Sequence, residues 1–142
     1  MKIKITPDQL SNNCFEATNP CVISGFPSGT VIDRIEIQCG REPDAAYMLR
    51  IDDSNIRINR LILSGIADPV KGIEAWKRQA AGGVLVTGQN VEIGVLDAEN
   101  VHTAATLRGR SGCIGRASVR GFSGDGININ ANDCMIGRDG LM

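Results

Sequence analysis

The side chains of this sequence that could do chemistry are a carboxylate between two glycines, a second carboxylate and a single histidine. Asp125, between Gly124 and Gly126, is the main catalytic candidate. The competing interpretation is a turn residue whose carboxylate accepts backbone N–H groups. Asp97 could complete an acid/base pair if the two carboxylates lay within about 5–10 Å, but the repeat described below places them on different faces. His102 could act as a general base; no acid or nucleophile is spaced to work with it, which favours a surface or turn histidine.

A group of arginines gives the last third of the chain a basic character. The members expected to bind a ligand are Arg108, Arg116, Arg120 and Arg138. Guanidinium groups bind carboxylates in a fork geometry, so this group could contact an acidic polysaccharide or an acidic protein face. The alternative is a solvated flank whose charge is balanced by Glu92, Asp97 and Glu99. Both interpretations stay open.

Composition narrows the classes of partner and cofactor. The 142 residues carry a net charge of -1, from 15 basic and 16 acidic residues, which argues against a nucleic-acid partner. No apolar run reaches the roughly 18–20 residues of a membrane span, and the N-terminus lacks the apolar stretch of a secretory signal. The five cysteines are odd in number and form no CxxC motif. We therefore expect free, buried thiols, no metal and no cofactor.

An internal repeat is the strongest signal in the sequence. The pair Ile93-Gly94 recurs as Ile114-Gly115 and Ile136-Gly137, at spacings of 21 and then 22. Two further apolar columns keep the same spacing: Val84, Ala105 and Ile127, and Val86, Leu107 and Ile129. An earlier unit follows the same pattern, with Leu49, Ile51 and Ile58 lying 35 residues before Val84, Val86 and Ile93. A weaker match places Ile35 before Ile58.

The longer first spacing indicates an insertion with a helical pattern. Asp68 suits an N-cap, Pro69 suits the first helical position, and Val70, Ile73 and Trp76 recur at helical spacing. The segment predicts a short helix near 68–81 that packs over the side of the repeats.

Each repeat contains three short alternations of apolar and polar residues, separated by turns too short for hairpins. Strands that recur in one direction can instead pair in parallel with their counterparts one repeat later. The sequence therefore predicts an all-β fold, a right-handed single-stranded parallel β-helix of about five rungs over residues 31–142, with residues 1–30 as an N-terminal cap or arm. Glu99 and Arg120 would form an ion pair between rungs.

Corner residues of the predicted rungs also recur in columns. The polar column Asn55, Asn90, Ser111 and Asp133 would hold a bend. Positive φ angles are expected at two other corners. These corners comprise Asn59, Gly94, Gly115 and Gly137, and Gly65, Asn100 and Gly121.

The segment Phe122 to Ile127, with the Asn-rich strand and the run from Asp133 to Gly137 that follow it, resembles the rung signature of the pectin-lyase-like β-helix superfamily. The resemblance covers about residues 48–142, and residues 99–127 are most similar to phage or prophage β-helix proteins. It implies either a virion protein or an enzyme acting on acidic polysaccharides, because the superfamily includes tailspikes, pectate lyases, polygalacturonases and alginate epimerases.

The catalytic patterns of those enzymes have few counterparts in this sequence. Only the step from Gly124 to Ile127 matches a polygalacturonase motif, and His102 is not in a Gly-His-Gly context. The acidic doublet Asp52-Asp53 falls between two strands, where a turn explains it. These departures favour a protein without catalytic activity.

The first functional hypothesis is a non-enzymatic phage or prophage virion component, such as a decoration or spike module, that acts through protein or glycan contacts. It would be a homo-oligomer, with a trimer among the options, or would bind other virion proteins, in the virion or in the host cytoplasm during assembly. Because the sequence stops in mid-rung, either a longer chain or another subunit would cover its last rung, with Ile136, Leu141 and Met142 at the interface. The second hypothesis is a fragment of a polysaccharide lyase, hydrolase or epimerase, with Asp125 as acid/base or metal ligand.

Overall fold

The computed structural model describes residues 3–38, 47–65, 82–121 and 126–137. Several predictions of the sequence analysis fall outside these ranges, namely the helix near 68–81 and the roles of Asp125, Arg138, Leu141 and Met142.

The described residues form two parallel six-stranded sheets. Sheet 1 contains β1 (Ile3–Ile5), β3 (Cys21–Ile23), β5 (Tyr47–Ile51), β7 (Gly82–Val86), β9 (Ala105–Leu107) and β11 (Ile127–Ile129). Sheet 2 contains β2 (Cys14–Ala17), β4 (Val31–Gln38), β6 (Arg57–Ser64), β8 (Glu92–Glu99), β10 (Cys113–Arg120) and β12 (Met135–Ile136). A 3-10 turn, Pro7–Gln9, follows β1. The protein is therefore all-β over the part of the chain that is described, and the chain alternates between the two sheets.

The register of both sheets follows the sequence repeat. Val86 pairs with Leu107, which pairs with Ile129, and every neighbouring strand pair is parallel. The earlier unit is also confirmed, because Ile51 pairs with Val86 across the insertion. Successive side chains of a strand point to opposite faces of its sheet, so that one of the two sets faces the space between the sheets.

The match of Ile35 with Ile58 was wrong by three residues. Ile32 pairs with Ile58, and Ile35 pairs with Leu61. Both isoleucines are fully buried, although they lie three residues apart in β4. Strict alternation does not predict that spacing, so the sequence alone does not show which of the two pairs with Ile58.

Three short strands per repeat were expected, one for each alternation of apolar and polar residues. Within the described residues, each repeat contributes two strands, one to each sheet. The second and third alternations merge into one eight-residue strand, such as β8, where Ile93, Leu96 and Ala98 are all buried. Gly94 lies within this merged strand. The glycine is needed there for space, because a Cβ on Gly94 would lie 2.6 Å from the Asn59 carbonyl oxygen.

The prediction of positive φ for the Gly94 column was therefore wrong, except at Gly137, where φ is 85°. Positive φ angles occur instead in the polar column that precedes sheet 2, at Asn55 (58°), Asn90 (55°), Ser111 (60°) and Asp133 (62°). At the third corner they occur at Asn100 (57°) and Gly121 (66°), and Gly65 is not among the positive-φ residues. Asn and Asp tolerate this region better than other residues with a Cβ.

The core between the sheets is aliphatic. One inward column runs along sheet 1 from β1 to β9, with Ile5, Ile23, Ile51 and Val86 0% exposed and Leu107 1% exposed. Each such side chain contributes about 1.5–3 kcal/mol through burial. Residues 3–23 supply three strands of these sheets, while the assignment of 1–30 as a cap or arm stays a prediction.

Candidate functional site

The turns that lead from sheet 1 to sheet 2 form a continuous polar edge. The turn after β5 comprises residues 52–55, and those after β7 and β9 repeat it at residues 87–90 and 108–111. Backbone hydrogen bonds stack them: Asn55 N–H donates to the Gln89 carbonyl at 2.9 Å, and Asn90 N–H donates to the Arg110 carbonyl at 2.8 Å. Asn90 Nδ2 also donates to Asn55 Oδ1 at 2.9 Å. Equivalent residues of successive turns therefore lie directly beside one another.

The acidic doublet Asp52-Asp53 lies on this edge, and its hydrogen bonds stabilise the fold. Both Asp53 carboxylate oxygens accept backbone N–H groups of the preceding turn, from Gly25 at 3.0 Å and from Phe26 at 2.8 Å. Asp52 Oδ1 accepts Arg50 Nε at 2.7 Å and the Thr87 hydroxyl at 2.6 Å. The two carboxylates hold neighbouring repeats together.

The outward side of sheet 2 carries ion pairs that join successive strands. Arg60 donates to Asp97 Oδ2 through Nη2 at 2.8 Å and Nε at 3.1 Å. Asp97 therefore has a cation partner on β6. The predicted pair of Glu99 and Arg120 is confirmed, at 3.1 Å. Arg57 pairs with Glu92 in the same manner.

Three of the four arginines expected to bind a ligand are described, and they are spread over a turn and the strand that follows it. Arg116 and Arg120 lie on the same outward side of β10, about 13 Å apart at the usual rise per residue of a strand. Arg108 lies in the turn before that strand, and Arg138 lies outside the described residues. Arg108 and Arg116 are exposed, and neither has an ion-pair partner within the described residues. Arg108 and Arg116 therefore differ from the other described arginines, each of which is paired with a carboxylate, as listed here: Arg34, Arg50, Arg57, Arg60, Arg110 and Arg120.

Of the residues expected at an interface, only Ile136 is described, and it lies on β12, the last described strand of sheet 2. Ile136 is partly buried, and Leu141 and Met142 lie outside the described residues. Ile129, which the sequence analysis assigned to the core column, is 42% exposed. On the outward side, Met135 is 52% exposed.

A groove at the opposite end was not predicted from the sequence. It has a volume of about 520 Å³ and lies between the turn around Gln9 and the side of β2, with Phe15, Glu16 and Arg34 in its wall. Arg34 bonds Glu16 at 2.8 Å and Glu36 at 3.2 Å, and the hydrogen bond to Glu16 raises the pKa of Arg34 above its usual value. The cation of this groove is therefore already neutralised by the protein's own carboxylates. Gln9, at the end of the Pro7–Gln9 turn, forms part of the groove, and the sequence carries no repeat signal for that turn.

Within the described ranges, no group of three or more His, Cys, Asp or Glu side chains could hold a metal ion. Cys14, Cys21, Cys113 and Cys134 are free thiols, of which only Cys21 is buried. His102 is partly buried. No helix in the described ranges is long and apolar enough to cross a membrane.

No family model matches this chain, and no curated protein or solved structure matches it either.

Proposed function

We propose that the two parallel sheets are walls of one winding chain, a right-handed single-stranded parallel β-helix of the pectin-lyase-like type. Three features support this fold. The chain alternates strictly between the sheets, each strand pairs in parallel with its counterpart from the next repeat, and a four-residue turn recurs at the same corner. Six strands in each sheet correspond to six windings, one more than the five or so expected from the sequence.

We propose that this stack is a structural, decoration or spike module of a phage or prophage virion and has no enzymatic function. The observation that carries it is the use of acidic side chains. Every Asp and Glu of the described ranges accepts a hydrogen bond or forms an ion pair with the protein itself, as follows: Asp8, Glu16, Asp33, Glu36, Asp52, Asp53, Glu92, Asp97, Glu99 and Asp133. Carboxylates that are already bonded to the protein itself favour a rigid scaffold over proton transfer.

The virion assignment rests on the resemblance of residues 99–127 to phage β-helix proteins. A rigid stack with unpaired outward arginines suits contacts to other proteins or to glycans. The partners would be further copies of the chain or other virion proteins, in the virion or in the host cytoplasm during assembly.

Mass measurement and a cleavage assay together test this proposal. Sedimentation analysis of the full chain should give an oligomer, and incubation with pectate, alginate and lipopolysaccharide should release no reducing or unsaturated ends. A monomer that cleaves one of these polymers, and loses that activity as Asp125→Ala, would overturn the proposal.

The second candidate function, a fragment of an enzyme acting on an acidic polysaccharide, is favoured by the two unpaired arginines. Arg108 and Arg116 offer guanidinium groups that no protein carboxylate occupies within the described residues, and such groups suit uronate carboxylates. Asp125 would be the acid/base or metal ligand. In this case Arg108→Ala and Arg116→Ala should weaken retention on an alginate column, whereas Arg120→Ala, whose guanidinium is already paired with Glu99, should change it less.

A further inference from the structure

Two side chains on the outward side of sheet 1 are buried. Val84 and Val86 belong to the core between the sheets, so Leu85 between them points outward, and Thr106 is its partner on β9. Leu85 is 4% exposed and Thr106 is 3% exposed. Both are buried within a single chain, so a part of this chain lies over the outward side of β7 and β9.

The cover is local to these two strands. The outward column of sheet 1 runs from β1 to β11 through Lys4, Val22, Arg50, Leu85, Thr106 and Asn128. Its residue on β1 is exposed, and those on β3, β5 and β11 are only partly buried. The covering part of the chain therefore crosses β7 and β9 and leaves the ends of the column open.

The described strands do not account for the burial of Leu85. The strands that pair with β7 are β5 and β9, which join it edge to edge in the same sheet. Strands of one sheet flank an outward side chain and do not lie over it. Leu85 also stands apart from the core cluster that contains Val84 and Val86. Its cover therefore comes from a part of the chain outside the described strands.

The outward side of sheet 2 provides a comparison. Ile62 on β6 and Val95 on β8 are its aliphatic residues at the centre of the sheet, and both remain partly exposed. On β10, Arg116 and Ser118 are exposed. An outward aliphatic side chain of this protein is thus not buried by its own sheet alone, which supports a separate covering segment over Leu85.

Residues 66–81 are the segment best placed to cover Leu85. They lie outside the described residues and lead directly into β7, the strand that carries it. The connection from β6 to β7 comprises residues 65–81, whereas the equivalent connection from β8 to β9 needs only residues 100–104. A helix over 68–81 would be about 21 Å long, and neighbouring strands are about 4.8 Å apart. The surplus chain is therefore long enough to cross β7 and β9.

The other segments outside the described residues fit less well. Residues 39–46 contain no valine, leucine, isoleucine or aromatic residue. Residues 122–125 belong to the connection from β10 to β11, which is about as short as 100–104 and leaves no surplus. Residues 138–142 follow β12, which belongs to the other sheet.

We propose that residues 66–81 lie across the outward side of β7 and β9 and cover Leu85 and Thr106. The apolar face of the helix predicted in this segment, which includes Ile73 and Trp76, contacts Leu85. This flank is then occupied by the chain itself, so contacts with other proteins or glycans fall on other surfaces, such as the outward side of sheet 2. The inference rests on burial within one chain and does not depend on the proposed function.

Fluorescence of the full chain tests this contact, because Trp76 is its only tryptophan. The native emission maximum should lie at a shorter wavelength than that of the urea-unfolded chain. Leu85→Asp should raise acrylamide quenching of Trp76 about twofold, because a carboxylate beneath the segment opens the contact. Val95→Asp, on the outward side of sheet 2, is the matched control and should leave quenching unchanged. Circular dichroism checks folding, and Leu85→Ala takes the place of Leu85→Asp if that variant does not fold.

Solution NMR of the unsubstituted chain identifies the covering segment independently of any variant. The Leu85 methyl groups should give nuclear Overhauser contacts to the indole of Trp76 or to the methyl groups of Ile73. Contacts from Leu85 to residues 39–46 or 122–125 instead would overturn the proposal. Native Trp76 emission equal to that of the unfolded chain, or quenching that a folded Leu85 variant leaves unchanged, would overturn it as well.

Discussion

Gly109 lies directly beside Gly88 in the stacked turns, so closely that a Cβ on Gly109 would overlap the Gly88 carbonyl oxygen. Three residues later, a Cβ on Gly112 would meet only side-chain atoms, at 3.5 Å from Leu107 Cδ1 and 3.7 Å from Cys134 Sγ. The backbone beside Gly109 therefore leaves no room for a Cβ, whereas the site of Gly112 does.

Gly109→Ala should destabilise the protein strongly, while Gly112→Ala should be tolerated. We expect a loss of at least about 2 kcal/mol for the first, because backbone must move, and a change within about 1 kcal/mol for the second, because ordinary contacts accept a methyl group. Urea unfolding of both variants measures the difference. Equal losses would contradict the close stacking of the turns.

The core column predicts a gradient of stability effects. Leu107→Ala should cost about 2–5 kcal/mol, as expected for a fully buried side chain. Ile129→Ala, at the next position of the column, should cost at most about half of that, because Ile129 is 42% exposed. The free energy of unfolding, measured on dilute protein so that self-association does not contribute, checks the ratio. A larger loss at position 129 would place that residue inside a core.

The positive-φ column predicts a stabilising substitution. Ser111 has φ of 60° at the position that Asn55 and Asn90 occupy in earlier repeats. Ser111→Asn should raise the free energy of unfolding by about 0.5 kcal/mol, a part of the roughly 1–2 kcal/mol that the left-handed conformation costs. Ser118→Asn, on the outward side of β10, is the control and should be neutral or slightly unfavourable, since Asn is a poor strand residue. A thermal melt that shows loss at 111 and gain at 118 would contradict the turn geometry.

Unpaired and paired arginines should respond differently to removal. Arg57 forms an ion pair with Glu92 and donates Nε to Asn59 Oδ1 at 2.8 Å, so Arg57→Ala should cost up to about 1 kcal/mol at low salt and less at high salt. Arg116→Ala should change stability by less than about 0.5 kcal/mol, because it removes no such contact. Chemical unfolding at two salt concentrations distinguishes them. A salt-sensitive loss at Arg116 would show that its guanidinium stabilises the fold.

The repeat could be predicted from the sequence, because strands that pair in a parallel register carry similar residues at a nearly constant spacing. Val86, Leu107 and Ile129 keep one spacing, and each strand exposes alternate residues to the core, so period and alternation together predict which strands pair. The ion pair of Glu99 with Arg120 followed from the same columns.

The corners could not be predicted in the same way. Residue type alone suggested positive φ for Gly94, whereas the glycine is required by the close approach of the Asn59 carbonyl on the neighbouring strand. The carboxylates of Asp53 and Asp97 were equally hard to interpret, because their partners lie 27–28 and 37 residues away in the chain. The groove beside Arg34 is lined in part by Gln9, which belongs to a turn outside the repeat.

Solution NMR tests most directly whether the two sheets belong to one winding chain. The account predicts amide contacts characteristic of parallel strands from β8 to both β6 and β10, and from β7 to both β5 and β9, with Leu96 beside Leu61 and Ala117. Close Hα–Hα contacts between consecutive strands of the chain, as in antiparallel hairpins, would contradict it.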